Sequence, residues 1–411
     1  MTVVIVGGGI GGLTAALSLH AVGVPVRVLE ATAQLRPLGV GINLLPHATA
    51  HLTELGLGKA LADTAIATSE VVHLDRFGNE IWRDPRGRAA GHNHPQYSVH
   101  RGDLQQILLD AVRERIGPGT PSLGMRVLDT RNDTHRAVCR VHNRRTDTIE
   151  EISGTAVIGA DGIASAIRRT LYPHEGEPLW GGVRMWRGTA AARPFRTGSS
   201  MVIAGSNHAA KFVMYPVRPR AGEDGKSLIN WVAEVRTDRP GAAPEWNRTG
   251  RLADVAPHFT GWHPAGVDIC GLVAATQHIL EYPMVDRDPL PRWSFGRITL
   301  LGDAAHPMYP VGSNGGSQAI LDARALAESF AATPNTGEPA SIDVPSVLAD
   351  YQSRRLDSAN AVATANRDIP MDRVLRLVAE RAPHGFDAIT DVLTAAEIEA
   401  LGGSYRHTSR G

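Results

Sequence analysis

The chain has 411 residues, with 42 Lys and Arg against 42 Asp and Glu, so its formal charge at pH 7 is zero. That balance excludes recognition of nucleic acid or an anionic membrane through bulk charge, while 43% hydrophobic content allows a large core. Cys139 and Cys270 show neither a C-x-x-C nor a metal spacing, and no apolar run approaches the roughly 20 residues of a membrane helix, so a cytoplasmic protein is expected.

The first thirty residues carry the sharpest signal. Val3–Val6 is a short, unalternated, β-branched run, the pattern of a strand buried on both faces, and not a signal peptide because no basic leader precedes it. Gly7-x-Gly9-x-x-Gly12 follows, with Ile10 and Gly11 inside it, and residues 13–20 read as a helix rich in Ala and Leu. A second strand, residues 25–29, ends at Glu30, 18 residues beyond Gly12. This is the β-α-β unit that holds the ADP half of a dinucleotide. Gly7 permits the tight turn, Gly9 lets backbone approach a pyrophosphate, Gly12 lets helix pack close to strand, and Glu30 accepts from ribose hydroxyls. FAD and NAD are both open at this point.

Residues 31–45 form a loop holding Arg36 and a Gly39-Val40-Gly41-Ile42 bend. Residues 46–55 read as a helix ended by Gly56. His47 and His51 lie at i, i+4 on it, but without a third ligand they are assigned to surface or packing, and no metal site is expected. Residues 71–83 pattern as a hairpin turning at Gly78-Asn79, Gln96–His100 as a strand, and Arg101–Arg115 as an amphipathic helix. Residues 125–152 alternate as strands around a basic turn at Arg144-Arg145. Residues 157–168 make a second strand-to-helix junction, with Gly159-Ala160-Asp161-Gly162 at its crest. Strand-like runs at 183–188, 200–204, 211–217 and 227–235 then dominate. Trp180, Trp186, Trp231, Trp246 and Trp262 fall in this region, which predicts a sheet with an aromatic pocket. Residues 297–316 return to a buried strand, Gly302-Asp303 and a Pro/Gly loop, followed by a helix from about 317 to 331. A Pro-rich linker at 333–345 precedes a long helix over about 346–368. The expected fold class is α/β: a Rossmann-like nucleotide-binding domain interleaved with a β-sheet domain, plus C-terminal helices.

Three glycine–acid junctions therefore stand in one chain. In a parallel sheet such junctions open together at the carboxyl ends of the strands, where ligands bind. A dehydrogenase needs only the first, so the other two suit a longer ligand. With the fingerprint at Gly7 to Gly12, Ala160-Asp-Gly-Ile-Ala-Ser-Ala-Ile-Arg168 and Gly302-Asp-Ala-Ala-His306 in this order, the chain resembles the single-component flavoprotein aromatic hydroxylases of the p-hydroxybenzoate hydroxylase fold, from residue 1 to about 370. Within that family, residues 36–43, 95–101, 185–188, 282–291 and 403–406 are similar to those of phenazine hydroxylases. Pro307, Ser313 and the 205–211 segment depart from them.

The resemblance implies an FAD-binding domain over 1–70, 100–177 and 286–370, a β-sheet substrate domain over 71–99 and 178–285, and a helical tail over 371–411. It implies that Gly7, Gly9, Ile10, Gly11 and Gly12 meet the pyrophosphate and Glu30 the ribose. Arg36, with Val40 close by, would lie near the ADP, and Arg101 would reach the phosphate and ribityl region. The Val127 backbone would meet adenine, and Asp303 would bind a ribityl hydroxyl. Asp161 would serve cofactor and NAD(P)H handling, although it also suits capping of the helix that follows. Pro310, Gly312, Asn314, Gly315 and Gly316 would lie under the isoalloxazine, where amides at a helix start stabilise negative charge on the reduced ring. Against these, Arg101 also suits a surface ion pair, and His306 suits a structural donor better than a base.

The implied chemistry is hydroxylation of a small aromatic substrate by O2 and NAD(P)H through a flavin C4a-hydroperoxide. The flavin carries it, so no catalytic side chain is assigned. A phenazine carboxylate or similar polycycle is the expected substrate. A salicylate-type acid is the alternative, and a non-hydroxylating NAD(P)H-linked flavoprotein or a plain dehydrogenase is the competing class. Met185, Trp186, Arg187, Tyr215 and Trp231 are the pocket candidates. Alternation places Arg184 and Trp186 on one strand face and Met185 and Arg187 on the other, with the ligand-facing side open. A monomer or homodimer is expected.

Overall fold

A computed structural model describes residues 1–35, 39–219, 225–237, 248–332, 342–367 and 370–398; Arg36, Trp246 and the 403–406 segment lie outside them. Five strands make a parallel sheet in the order Ile298–Leu300, Ala156–Gly159, Val3–Val6, Val26–Glu30, Ser122–Leu123. Val3, Val4 and Ile5 are wholly buried, as a strand covered on both faces requires. The three strands that end in glycine–acid junctions are neighbours. Val6 pairs with Gly159 and Gly159 with Leu300, so Gly7, Ala160 and Leu301 leave the sheet at one level. The helices Ile10–Ala21, Arg101–Arg115 and Asn314–Ala331 cover one face, and a meander of Met125–Asn132, Ala137–Asn143 and Thr148–Gly154 packs into the same core.

A second, eight-stranded sheet runs Arg248–Thr249, Leu280–Asp286, Leu179–Ala192, Ser227–Arg236, Ala210–Arg218, Ser200–Gly205, Glu70–Leu74, Glu80–Pro85. The predicted hairpin thus joins strands more than a hundred residues later in the chain. One face of this sheet carries an aromatic core in which Phe212 stacks on Trp231 at 5.8 Å and meets Phe259 edge-on at 5.2 Å. The other face turns toward the parallel sheet.

A small sheet of Gly41–Leu44, Gln96–His100 and Ile66–Thr68 docks the two together. Gly41 N–H donates to Asn230 Oδ1 at 2.6 Å, and a Cβ on Gly41 would lie 2.7 Å from both Asn230 and Tyr215. Only glycine lets that strand cross there. Asp103, at the start of the Arg101–Arg115 helix, adds a bidentate ion pair to Arg218 at 2.6 Å.

Three helix starts differ from expectation: the first helix begins at Ile10 rather than at 13, inside the glycine fingerprint, and two others lie farther along the chain. The helix after the Gly302 turn begins at Asn314, not near 317, so Gly315 and Gly316 belong to its first turn. Two glycines read as loop in sequence, but the helix is held there by contacts from elsewhere: Leu45 N–H donates to Ser317 Oγ, which donates to Ser313 O. The long helix runs Val344–Ala365, with Pro345 in its first turn rather than in the linker. Proline fits that position because its missing N–H would be unpaired in any case.

Candidate active site

A cavity of about 380 Å³ opens between the two large sheets at the carboxyl ends of the parallel strands. Its one wall is Gly9, Ile10 and Gly11, Val40, Arg101, Asp303 and the loop from Met308 to Gly316; its other is Arg187, Met201, Ile203, Val213, Tyr215 and Val232. The fingerprint has the geometry that an extended phosphate ligand needs. A Cβ on Gly12 would sit 2.0 Å from the Gly7 carbonyl oxygen, and one on Gly7 2.2 Å from the Ala160 carbonyl oxygen, so both places admit only glycine. A Cβ on Gly9 would meet no protein atom within 4 Å. Gly9 is therefore bare toward the cavity, not toward the fold. Glu30 accepts from Gly8 N–H at 2.7 Å and Thr32 N–H at 2.8 Å, and Gln105 Nε2 donates to Gly8 O at 2.8 Å, so the loop is braced from both sides. Gln105 was not singled out in the sequence; its place on the inner face of an amphipathic helix was the available signal.

Arg101 and Asp303 are exposed polar side chains on the cavity wall. The Arg101 side chain is exposed to the cavity and has no acid within ion-pair distance among the described residues. The Asp303 carboxylate also reaches the cavity, and no donor among the described residues bonds it. Protein crowding on its remaining sides pushes its pKa up, with His306 and then Arg101 pulling the other way. Asp161 is differently placed. It accepts from Ser165 Oγ at 2.6 Å and Ala166 N–H at 2.8 Å, so it caps the helix Ala166–Leu171, and burial raises its pKa. Val127 lies outside the cavity lining, its side chain in the core beneath the meander.

The second and third junctions are tied to each other by an arginine. Arg168 is 1% exposed; its Nη1 donates to the carbonyls of Ala304 at 3.1 Å and Ala305 at 2.9 Å, while Glu175 pairs with its other nitrogens. The guanidinium thus fixes the turn that aims Asp303 at the cavity. On the far side of that turn, Asp322 Oδ2 accepts from Gly302 N–H at 3.0 Å and lies 2.5 Å from His306 Nε2, and its Oδ1 accepts from Arg355 Nε at 2.8 Å. The His306 side chain is wholly buried behind the turn, with its ring against Trp293, and does not line the cavity.

Pro310, Gly312, Asn314, Gly315 and Gly316 all line the cavity at the start of the Asn314–Ala331 helix, whose free amides and dipole favour negative charge there. Asn314 itself is used in holding the loop: Nδ2 donates to Asn366 Oδ1 at 3.2 Å, and Asn366 Nδ2 donates to Tyr309 O at 3.3 Å. Ser313 sits in the left-handed region at φ 64°, a conformation that crowds any Cβ. Ser313→Gly is expected to stabilise the fold by about 0.5–1 kcal/mol, read as a raised thermal midpoint.

Strand alternation decides the pocket candidates. Arg187 and Tyr215 line the cavity. Trp186 and Trp231 do not: both face the aromatic core on the opposite side of the sheet, 2% and 0% exposed, with Trp231 Nε1 donating to Thr276 Oγ1 at 2.8 Å. Large aromatics suggested a ligand pocket, but here they satisfy the hydrophobic layer. Met185 shares the face of Arg187 but is buried beside it, its sulfur 3.3–3.4 Å from the guanidinium nitrogens. Val213, Val232, Met201 and Ile203 complete the floor and alternate with core residues, a period-2 signal present in the sequence without a marker for which side is inward. Burial pushes the Tyr215 hydroxyl up to about 12, so it stays a neutral donor. His51 is accounted for by packing, with Nε2 2.8 Å from Ser18 Oγ between two helices. Among the described residues no cluster of three or more metal-ligating side chains occurs, and no helix is long and apolar enough to cross a membrane.

The family model described as "FAD binding domain" matches residues 1–366. The chain is 44% identical over 410 residues to the phenazine 1,6-dicarboxylic acid hydroxylase PhzS of Lysobacter antibioticus, covering 98% of this chain and 96% of that protein. It is 32% identical over 381 residues to a 3-amino-4-hydroxybenzoate 2-monooxygenase of Streptomyces platensis, covering 89% and 87%. The fold is similar to HpxO of Klebsiella pneumoniae complexed with FAD and uric acid, with a TM-score of 0.76 at 21% identity over 100% of this chain and 93% of that one. A salicylate hydroxylase substrate complex aligns with a TM-score of 0.73 at 22% identity, over 100% and 97%.

Proposed function

The chain belongs to the FAD binding domain family and is an FAD-dependent aromatic monooxygenase using NAD(P)H and O2; from that premise we propose that its substrate is a planar aromatic carboxylate, a phenazine carboxylate first among them. The observation that carries this reading is Arg187. Its half-buried guanidinium faces the cavity with no carboxylate within ion-pair distance among the described residues, beside the Met185 sulfur and with its Cζ 5.7 Å from the centre of the Tyr282 ring. A half-buried cation without an acid partner, beside apolar floor residues, is suited to a ligand acid. The 44% likeness to a phenazine hydroxylase supports the tricyclic class over a single-ring acid.

When bound, FAD supplies the redox and oxygen chemistry. In this reading Gly9, Ile10 and Gly11 would hold the pyrophosphate and Glu30 the ribose, Asp303 would accept from a ribityl hydroxyl, Arg101 would neutralise phosphate, and the Gly312 to Gly316 amides would favour negative charge on the reduced ring. Asp161 acts through the helix it caps. Arg187 orients the substrate, Tyr215 donates to it or to its neighbour Asn43, and Val213, Val232, Met201 and Ile203 exclude water from the reacting face. The FAD domain over 1–70, 100–177 and 286–370, and the substrate domain over 71–99 and 178–285, belong to the same reading. So does a cytoplasmic monomer or homodimer without nucleic-acid or membrane partners.

Arg187→Met is expected to raise KM for the aromatic acid by about 10- to 150-fold, the range of a charge-assisted hydrogen bond, with a smaller change in kcat. The matching carboxamide should be indifferent to the substitution. An unchanged KM for the acid would remove Arg187 from the site.

A further inference from the structure

The register of the eight-stranded sheet makes the cavity floor a grid. Arg187 pairs with Val232, Val232 with Val213, and Val213 with Ile203, so one row runs across four strands from a cation into an apolar strip. Two residues further along the same face, roughly 7 Å away by strand geometry, Met185 pairs with Glu234 and Glu234 with Lys211. Both Glu234 and Lys211 line the cavity, yet they are 3% and 5% exposed. Lys211 Nζ lies 3.0 Å from Glu234 Oε2 and 3.9 Å from Asp372 Oδ1, the latter from the Pro370–Arg381 helix. The second row therefore ends in one ammonium held between two carboxylates.

We infer that the Lys211–Glu234 pair is a specificity determinant that limits the site to one substrate carboxylate, taken by Arg187, so that this chain shares the ring class of its 44% identical relative but departs from the dicarboxylic acid that relative is named for. The inference rests on the aromatic-acid reading above. A ring bearing a second carboxylate at its far edge would bring that group to Lys211, where Glu234 already occupies the ammonium and Asp372 adds like charge. Buried like charges at contact distance repel far more strongly than in water. The floor is thus polarised, positive at Arg187 and negative at the Glu234 end, and suits a monoacid whose far edge is neutral or donates a hydrogen bond. Glu234 acts on the substrate by engaging the lysine that a diacid would need.

The test is titration of the FAD-loaded protein with phenazine-1-carboxylate and with phenazine-1,6-dicarboxylate, followed by perturbation of the flavin absorbance. The monoacid is expected to bind at least tenfold tighter. Glu234→Gln leaves Lys211 with its charge and one less acid, and is expected to narrow that ratio at least fivefold through tighter diacid binding. The double variant Glu234→Gln with Lys211→Met removes both members of the pair and is expected to restore discrimination while FAD content shows that it folds. Equal binding of the two acids by the unaltered protein overturns the inference, as does a ratio that Glu234→Gln leaves unchanged. Binding of neither acid overturns it together with the phenazine reading, whereas equal binding leaves that reading intact.

Discussion

Gly12→Ala is expected to yield a protein that retains no FAD. The added Cβ would stand 2.0 Å from the Gly7 carbonyl oxygen, which is backbone and has no side-chain freedom to yield. The Ile10–Ala21 helix must then move off the Val3–Val6 strand by about 1 Å or more, at a cost of about 1–3 kcal/mol for overpacking, and its amides leave the phosphate position. Gly9→Ala separates the two effects. Its Cβ meets nothing in the protein within 4 Å, so the apoprotein should unfold at the same temperature as the unaltered one while FAD affinity falls at least a hundredfold. Calorimetric titration of FAD into apoprotein, beside thermal unfolding, reads both. Gly9→Ala protein that still retains FAD would mean that the ligand does not approach the loop.

Asp322→Ala is expected to cost about 3–5 kcal/mol, because Arg355 loses its buried acid partner and the Gly302 amide and His306 lose their acceptor together. The same carboxyl makes a pH signature. Burial alone would raise its pKa, but His306 and Arg355 outweigh burial and hold it at about 2 against an ordinary 3.8. Its folded value lies below its unfolded one, so this stabilisation is complete above about pH 4 and is lost as pH falls toward 2, by about 2 kcal/mol in all. Denaturant unfolding at pH 6 and pH 2.5 should show that part of the acid loss disappear in Asp322→Ala. The turn it supports carries Asp303, so weaker FAD binding should accompany the lost stability.

The parts legible in the sequence are those governed by local rules. Gly7, Gly9, Gly12 and Glu30 form a spacing that only a tight strand–helix turn explains, and the runs at 3–6, 157–159 and 298–300 are unalternated because both their faces are covered. Their shared junctions place the three strand ends at one edge of a parallel sheet, but only the pairing in the structure makes the strands neighbours. The pocket was less legible because alternation separates two faces without naming the inner one. Trp186 and Trp231 have the composition of a ligand pocket and the position of a core, while Lys211 and Glu234, a charged pair that would ordinarily be placed on a surface, lie 5% and 3% exposed. Arg168, Gln105 and Asp322 escaped for another reason. Each acts on backbone groups that are distant in sequence, the carbonyls of 304 and 305, the carbonyl of Gly8 and the amide of Gly302, and no spacing rule reaches across such separations.

We propose one cavity that presents a bound flavin to a planar aromatic acid held by Arg187. Incubating the FAD-loaded protein with NAD(P)H, phenazine-1-carboxylate and isotopically labelled O2, then weighing the product, tests it most directly. The acid is expected to accelerate NAD(P)H oxidation and to emerge with one labelled oxygen atom, and Arg187→Met to weaken both effects at low acid concentration. NAD(P)H oxidation that ignores the acid and yields only hydrogen peroxide would contradict it.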